Sequence, residues 1–195
     1  SYHLRKLLND DLIKKDKTDS YSLTSKGKLY SSHMDTNTNT IEKLPKSSVL
    51  VIVHKKIKQE KKFLIHTRTK EPYYNFSGFM TGKIRYGETV EESALRELKE
   101  ETGLIGKGYN HHYILHEMVY TKEGEQLEDK FFHVVSFSDT AGTFLEKSLD
   151  GKNKWIKEDD LRKLKKVFHN EFEILDLFLL NKKGFIEGKY YIEGF

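Results

Sequence analysis

The 195-residue chain contains no cysteine. That excludes disulfides, thiolate catalysis and cysteine-based zinc sites, and it fits a reducing, cytoplasmic setting. No apolar run approaches the ~20 residues of a membrane span; the densest, Val-Leu-Val-Ile-Val at 49–53, has the length of a strand. The chain opens Ser-Tyr-His-Leu-Arg-Lys, without an initiator Met or a signal-peptide core, so we expect a fragment of a longer protein. A strong charge of one sign is also missing: 34 Lys and Arg stand against 30 Asp and Glu, a net of +4. Residues 1–46 carry nine basic and six acidic residues, and 47–195 carry 25 and 24. The small excess therefore sits at the N-terminus and faintly favours an anionic partner there. There are no internal repeats. The 36% hydrophobic and 12% aromatic content is enough for a core, and 33% charged residues give a heavily solvated surface.

Leu4, Leu7, Leu8 and Leu12 have helical spacing. Residues 12–24 read as two short strands around the polar turn Lys-Asp-Lys-Thr-Asp-Ser, and Thr24 or Ser25 is placed to cap a second helix over 26–35. This order resembles the last part of a winged helix-turn-helix domain, which implies a possible DNA contact through the helix carrying His3, Arg5 and Lys6. The alternative is a structural or dimerising appendage, with a homodimer formed through the hairpin. Residues 36–46 read as a polar linker, and 47–195 as the main domain. There, strands are expected at 47–56, 61–70, 111–121 and 130–140, with strand and loop over 73–84. Residues 154–166 start with an apolar edge and turn helical. An amphipathic helix is expected over 169–183, with Phe172, Leu175, Phe178 and Leu179 on its inner side. Strands and helices mix without regular alternation, an α+β pattern.

The most informative stretch is residues 82–104, GKIRYGETVEESALRELKEETGL. Thr89 and Glu92 form a capping box and Gly103 ends the run, so the helix spans 90–102. Val90, Ala94 and Leu98 form its inner stripe. Glu97, Glu100 and Glu101 fall at i, i+3 and i+4 on another face. Carboxylates cost stability when crowded unless a cation sits among them, and a hard-oxygen set suits Mg²⁺ or Mn²⁺. A solvated acidic face is the bland alternative, since Arg96 lies four residues from both Glu92 and Glu100.

The stretch fits the pattern G-x5-E-x7-R-E-U-x-E-E-x-G-U, with U apolar, at Gly82, Glu88, Arg96, Glu97, Leu98, Glu100, Glu101, Gly103 and Leu104. Such a match arises by chance at roughly one in 10⁹ starting points at typical residue abundances. It resembles the Nudix box, the signature of the Nudix hydrolases. The resemblance implies an α/β/α sandwich with a mixed sheet and a metal-dependent enzyme cleaving a diphosphate linkage. The substrate would be a nucleoside diphosphate derivative: a nucleoside triphosphate, ADP-ribose, a sugar nucleotide or similar. It further implies that Glu97, Glu100, Glu101 and the Gly82 carbonyl hold Mg²⁺ or Mn²⁺ and that Glu97 and Glu100 act in catalysis. Arg96 would position a glutamate and Glu88 would brace the loop. The sequence departs from the family before the box, where Phe79-Met80-Thr81-Gly82 replaces a Pro-Gly-Gly run. Downstream, Glu146 and Asp150 are candidates for a further acid, as are Glu125, Glu128 and Asp129. Arg68 is a candidate phosphate contact, and Tyr73, Tyr74 and Phe76 are candidates for stacking on a base. A different class of function is a nucleotide sensor regulating an attached DNA-binding module.

Overall fold

A computed structural model of the chain describes residues 2–35, 37–38 and 40–193. The chain divides after Leu44 into two compact units. In the first, α1 (Tyr2–Asn9) precedes an antiparallel pair, β1 (Ile13–Lys15) and β2 (Tyr21–Leu23). The turn between them closes on Asp16, whose Oδ1 accepts from the Thr18 and Ser20 amides at 2.8 and 3.0 Å. Helix α2 (Ser25–Ser31) is capped by Thr24, which accepts from Gly27 N at 2.9 Å. The expected helix–hairpin–helix order is present, but α2 stops short of 35. Instead, β3 (Met34–Asp35) pairs with β4 (Thr40–Ile41), so the expected linker begins with a short pairing.

The second unit contains β5 (Lys46–Ile57), β6 (Glu60–Arg68), β7 (Ser77–Gly78), β8 (Met80–Lys83), α3 (Val90–Thr102), β9 (Leu104–Thr121), β10 (Gln126–Gly142), β11 (Gly151–Lys157), α4 (Glu158–Leu161), α5 (Glu171–Leu179) and β12 (Gly184–Ile192). The sheet order is β11-β6-β5-β10-β9-β12, with β7 on β6 and β8 on β5. β10 runs parallel to β5, and β12 parallel to β9; the other pairs are antiparallel.

Strand period two sorts the core onto two faces. Leu50, Ile52, Phe63 and Ile65 pack with Ile174, Leu175 and Phe178 of α5. Val49, Val51, Val53 and Leu64 pack with Ala94 and Leu98 of α3. A mixed sheet with a helix on each face is the α+β sandwich expected. The run at 49–53 is apolar throughout because β5 is central and covered on both sides.

Two expectations need correction, and one strand was not foreseen. In α5 the buried residues are Glu171, Ile174, Leu175 and Phe178, while Leu179 is exposed; the helix phase is set by the sheet beneath it. The segment at 154–166 holds the last four residues of β11, four residues of α4 and then turn, so its helical part is only one turn long. β12 was not anticipated, because its alternation is weak and interrupted by Gly188; its place is set by backbone pairing with β9, and none of its residues is fully buried. No helix among the described residues is long and apolar enough to cross a membrane.

Candidate active site

Helix α3 is fixed at both ends. Thr89 Oγ1 accepts from Glu92 N at 3.2 Å, and Glu92 Oε2 accepts from Thr89 N at 2.8 Å. Gly103 terminates the helix at φ +73°, a conformation that favours glycine. With Ala94 and Leu98 anchored in the core, the phase of the acidic face is set.

Arg96 is the hub of that face. Its Nε and Nη2 donate to the two oxygens of Glu88 at 2.6 and 2.8 Å, a bidentate fork. Its Nη1 donates to Glu97 Oε1 at 2.6 Å and Glu100 Oε2 at 3.3 Å, and Nη2 also reaches the Lys83 carbonyl at 3.0 Å. Arg96 thus ties the loop after β8 to the helix. Its guanidinium, helped by the Arg85 amide at 3.0 Å, holds the Glu88 carboxyl down at about 2. Arg85 Nη2 approaches Glu100 Oε1 at 3.3 Å.

Glu97 and Glu101 line a cleft of about 380 Å³, together with Gly82, Lys83, Arg85, His66, Arg68, Asp150 and Phe168. Burial pushes the Glu97 carboxyl up, Arg96 opposes this, and the charges of Glu100 and Glu101 add to the rise. Gly82 makes room for it: a Cβ there would sit 1.9 Å from Glu97 Cδ. Glu101 Oε2 accepts from Ser148 Oγ at 2.6 Å and lies 3.8 Å from His66 Nδ1. Buried Asn153 joins this end of α3 to β6: its amide donates to the Glu101 carbonyl at 2.7 Å, and its Oδ1 lies 2.9 Å from His66 Nδ1.

The three box carboxylates share a helix face, but their side chains diverge. Glu97 and Glu101 face the cleft, whereas half-exposed Glu100 is drawn to Arg85 and Arg96. Among the described residues, no three acidic, His or Cys side chains are grouped as ready metal ligands. The donor chemistry nevertheless fits a divalent cation. Glu88, Glu97 and Glu100 are bonded to two guanidiniums, which leaves one negative charge unbalanced in this set, and Glu101 on the same helix pairs with neither guanidinium.

Of the other candidates, Arg68 lines the cleft, and its Nε donates to the Pro72 carbonyl at 3.0 Å. Asp150 also lines the cleft and pairs with Lys70. Glu146 is exposed, does not line the cleft, and contributes its backbone carbonyl to Asn153 N at 2.8 Å. Tyr73 packs edge-on against Phe76 and Phe168, at 5.4 and 5.3 Å between centroids, and lines a smaller neighbouring compartment; Tyr74 is half exposed. Glu128 lines that compartment too, paired with Lys130, and Asp129 bonds His116 at 2.9 Å. Glu125 lines neither space.

Sequence reading missed His66, Asn153, Ser148 and Glu171. His66 stands two residues before Arg68 on one strand, so period two places both on the cleft face. Glu171 sits at i of an i, i+3, i+4, i+7 set with Ile174, Leu175 and Phe178, an acid at a core position. It accepts from Phe79 N at 2.8 Å through Oε1, and complete burial pushes its carboxyl up to about 8.

Comparison with known proteins accords with this geometry. The NUDIX domain model matches residues 44–178. An ADP-ribose pyrophosphatase from Methanocaldococcus jannaschii is 43% identical over 51 residues, 26% of this chain and 30% of that relative's length. The NUDIX domain of Shewanella oneidensis NrtR, solved with ADP ribose, superposes with a TM-score of 0.62 at 16% identity, over 81% of this chain and 98% of that one. A bifunctional NMN adenylyltransferase/ADP ribose pyrophosphatase from Francisella tularensis, solved with AMP and a Mn ion, gives 0.55 at 16% identity, over 79% and 44%. At these identities the two structures speak for the fold alone. The box on α3, the mixed sheet that carries it and the match over residues 44–178 agree: the chain belongs to the Nudix family.

Proposed function

We propose that the chain is a metal-dependent hydrolase that cleaves a diphosphate linkage in a nucleoside diphosphate derivative. The observation that carries this reading is the excess of carboxylates around Arg96 and the cleft: Glu88, Glu97 and Glu100 share two guanidiniums, Glu101 pairs with neither, and Glu97 and Glu101 line the cleft. Such an arrangement repels a diphosphate unless a cation intervenes. Glu97 and Glu101, with Glu100 and the Gly82 carbonyl, are the residues that would hold Mg²⁺ or Mn²⁺. The metal, when bound, neutralises phosphate charge and makes water a better nucleophile. Glu97 is the candidate to take the proton of the attacking water, Arg96 and Glu88 position it, and Arg68 reaches the phosphates. The ADP-ribose pyrophosphatase name of one relative makes ADP-ribose the first compound to try.

The reading is tested by incubating the protein with ADP-ribose, nucleoside triphosphates, sugar nucleotides and dinucleoside polyphosphates. Each is run with Mg²⁺, with Mn²⁺ and with EDTA, and products are separated by anion exchange. Cleavage of one class, abolished by EDTA, is expected; equal rates with and without chelator would reject it. A second reading, a nucleotide sensor acting through a DNA-binding N-terminal unit, draws on the helix–hairpin–helix order of residues 2–31. It requires nucleotide-dependent DNA binding by the chain without cleavage.

Gly82→Ala is a sharper probe of the cleft. The new methyl meets the end of the Glu97 side chain rather than backbone, so the fold accommodates it by moving that carboxyl. We expect about a 10²-fold loss of activity, the usual consequence of an ångström-scale misplacement, with a melting temperature close to that of the parent protein. A variant of normal activity would show that Glu97 need not occupy its observed position.

A further inference from the structure

The smaller compartment has a volume of about 50 Å³ and shares Phe79, Thr81 and Phe168 with the cleft. That space admits a ring edge or a single substituent, not a whole nucleoside. Glu117 of β9 lines it and is 3% exposed. Asn170 Nδ2 donates to Glu117 Oε2, and His169 Nε2 lies 3.2 Å from the same oxygen. Glu117 Oε1 has no hydrogen-bond partner among the described residues. A carboxylate that lines the compartment with one oxygen taking no donor from the described residues marks where a ligand donor belongs.

The groups around Glu117 are held by β12, which lies beyond the residues that match the family. In the parallel register Gly188 stands opposite Glu117. A Cβ on Gly188 would come within 2.7 Å of Tyr190 Oη, so the bare glycine lets the Tyr190 ring lie back over its own strand. The Tyr190 hydroxyl donates to Glu173 Oε2 of α5 at 2.9 Å, and its ring lies 4.8 Å from that of His169. On the opposite face of β12, Glu187 Oε2 bonds His116 Nδ1 at 2.6 Å. The other nitrogen of His116 bonds Asp129 of β10 at 2.9 Å, which fastens β12 across β9.

We propose that β12 is a substrate-specificity element: Tyr190 positions His169 and Asn170 on Glu117, whose second oxygen accepts a hydrogen bond from an amino group on the substrate's non-phosphate ring. The proposal rests on the nucleotide reading of the cleft. Tyr190 is a positioning residue and Glu117 the contact. His169 and Asn170 saturate one carboxylate oxygen, so the other is aimed rather than free to rotate toward them.

The test uses calorimetric binding to the full chain, with Mg²⁺ present. The probes are the non-hydrolysable α,β-methylene analogue of ADP and the same compound lacking the 6-amino group. The parent protein is expected to bind the amino-bearing probe about tenfold more tightly. Tyr190→Phe keeps the ring but loses the Glu173 bond, and is expected to reduce the ratio to about threefold. In Glu117→Gln the amide oxygen keeps the two donors and an N–H faces the compartment, so the ratio is expected to fall to about one or below. Equal affinity of the parent for both probes, binding of neither, or equal weakening of both by Tyr190→Phe overturns the proposal. A purely structural role for Tyr190 gives that last result. The ratio is read without turnover, so a protein that discriminates as expected yet cleaves nothing would overturn the hydrolase reading alone.

Discussion

Glu97→Gln is expected to lower kcat for diphosphate hydrolysis by about 10³-fold while leaving the melting temperature level or higher. The two halves of this prediction have separate causes. Gln keeps the length of the side chain and an oxygen for Arg96 Nη1, now at 2.6 Å, so the loop–helix tie survives through Arg96 and Glu88. What disappears is the charge. Glu97 is 15% exposed, and its carboxyl is held above its usual range by burial and by the neighbouring Glu100 and Glu101. Removing an ill-solvated charge from such a place costs the fold little. The same charge is what a divalent cation and an attacking water would require, and loss of a positioned acid–base group typically costs 10²–10⁴-fold. Steady-state kinetics at saturating Mg²⁺, beside a thermal melt, checks both halves. A variant within threefold of the parent in kcat would remove Glu97 from the proposed chemistry. A drop of more than ~5 °C in Tm, equivalent to about 1 kcal/mol or more, would show that its charge is structural.

The second large effect concerns Glu171, which lies outside the cleft. Its carboxyl is completely buried at the start of α5, with the Phe79 amide on Oε1 and Gly78 beneath Oε2. Burial lifts it from 4.5 to about 8, the Phe79 bond opposing only in part. A group whose folded pKa is raised binds its proton more tightly in the native state. Its contribution is therefore fully present below the unfolded value of 4.5, is lost progressively up to about 8, and then stays constant. Over that window the linkage amounts to roughly 5 kcal/mol at about 1.36 kcal/mol per unit. Glu171→Gln is the neutral isostere and lacks this dependence. Urea unfolding of the two proteins at pH 5, 6.5 and 8.5 should show the Gln variant gaining on the parent at each step. Titrations elsewhere cancel between the proteins. Parallel stability curves across this range would mean that Glu171 is ionised in the fold and paired in another way. Glu171→Ala also lacks this dependence but strands the Phe79 N–H, and is expected to lie about 1–3 kcal/mol below Glu171→Gln at every pH.

The box helix was legible from residues alone because its signals are local. Thr89 and Glu92 cap it, Gly103 stops it, and Val90, Ala94 and Leu98 give its phase, so its span of 90–102 came out as observed. The strands at 47–56 and 61–70 were legible for a similar reason: apolar runs of strand length separated by a polar turn. The ends of β9 and β10 were not, because Gly106, Gly108 and Gly142 interrupt the apolar pattern while long-range pairing keeps the ladder going. β12 was missed for the same reason. Its pairing partner is β9, some 70 positions earlier in the chain.

The sequence by itself determined the family, the acidic face of α3 and the need for positive charge beside it, since i, i+3 and i+4 spacing on a capped helix leaves those carboxylates nowhere else to go. Only the tertiary structure decided which of them face the cleft. Glu97 and Glu101 line it, Glu100 turns to Arg85 and Arg96, Asp150 reaches the rim, and Glu146 stays outside. It also decided that Glu117 and Glu171 are buried polar groups rather than surface charges. These outcomes depend on pairings between strands and helices far apart in the chain, and local spacing carries no record of which distant side chain supplies the neighbouring donor.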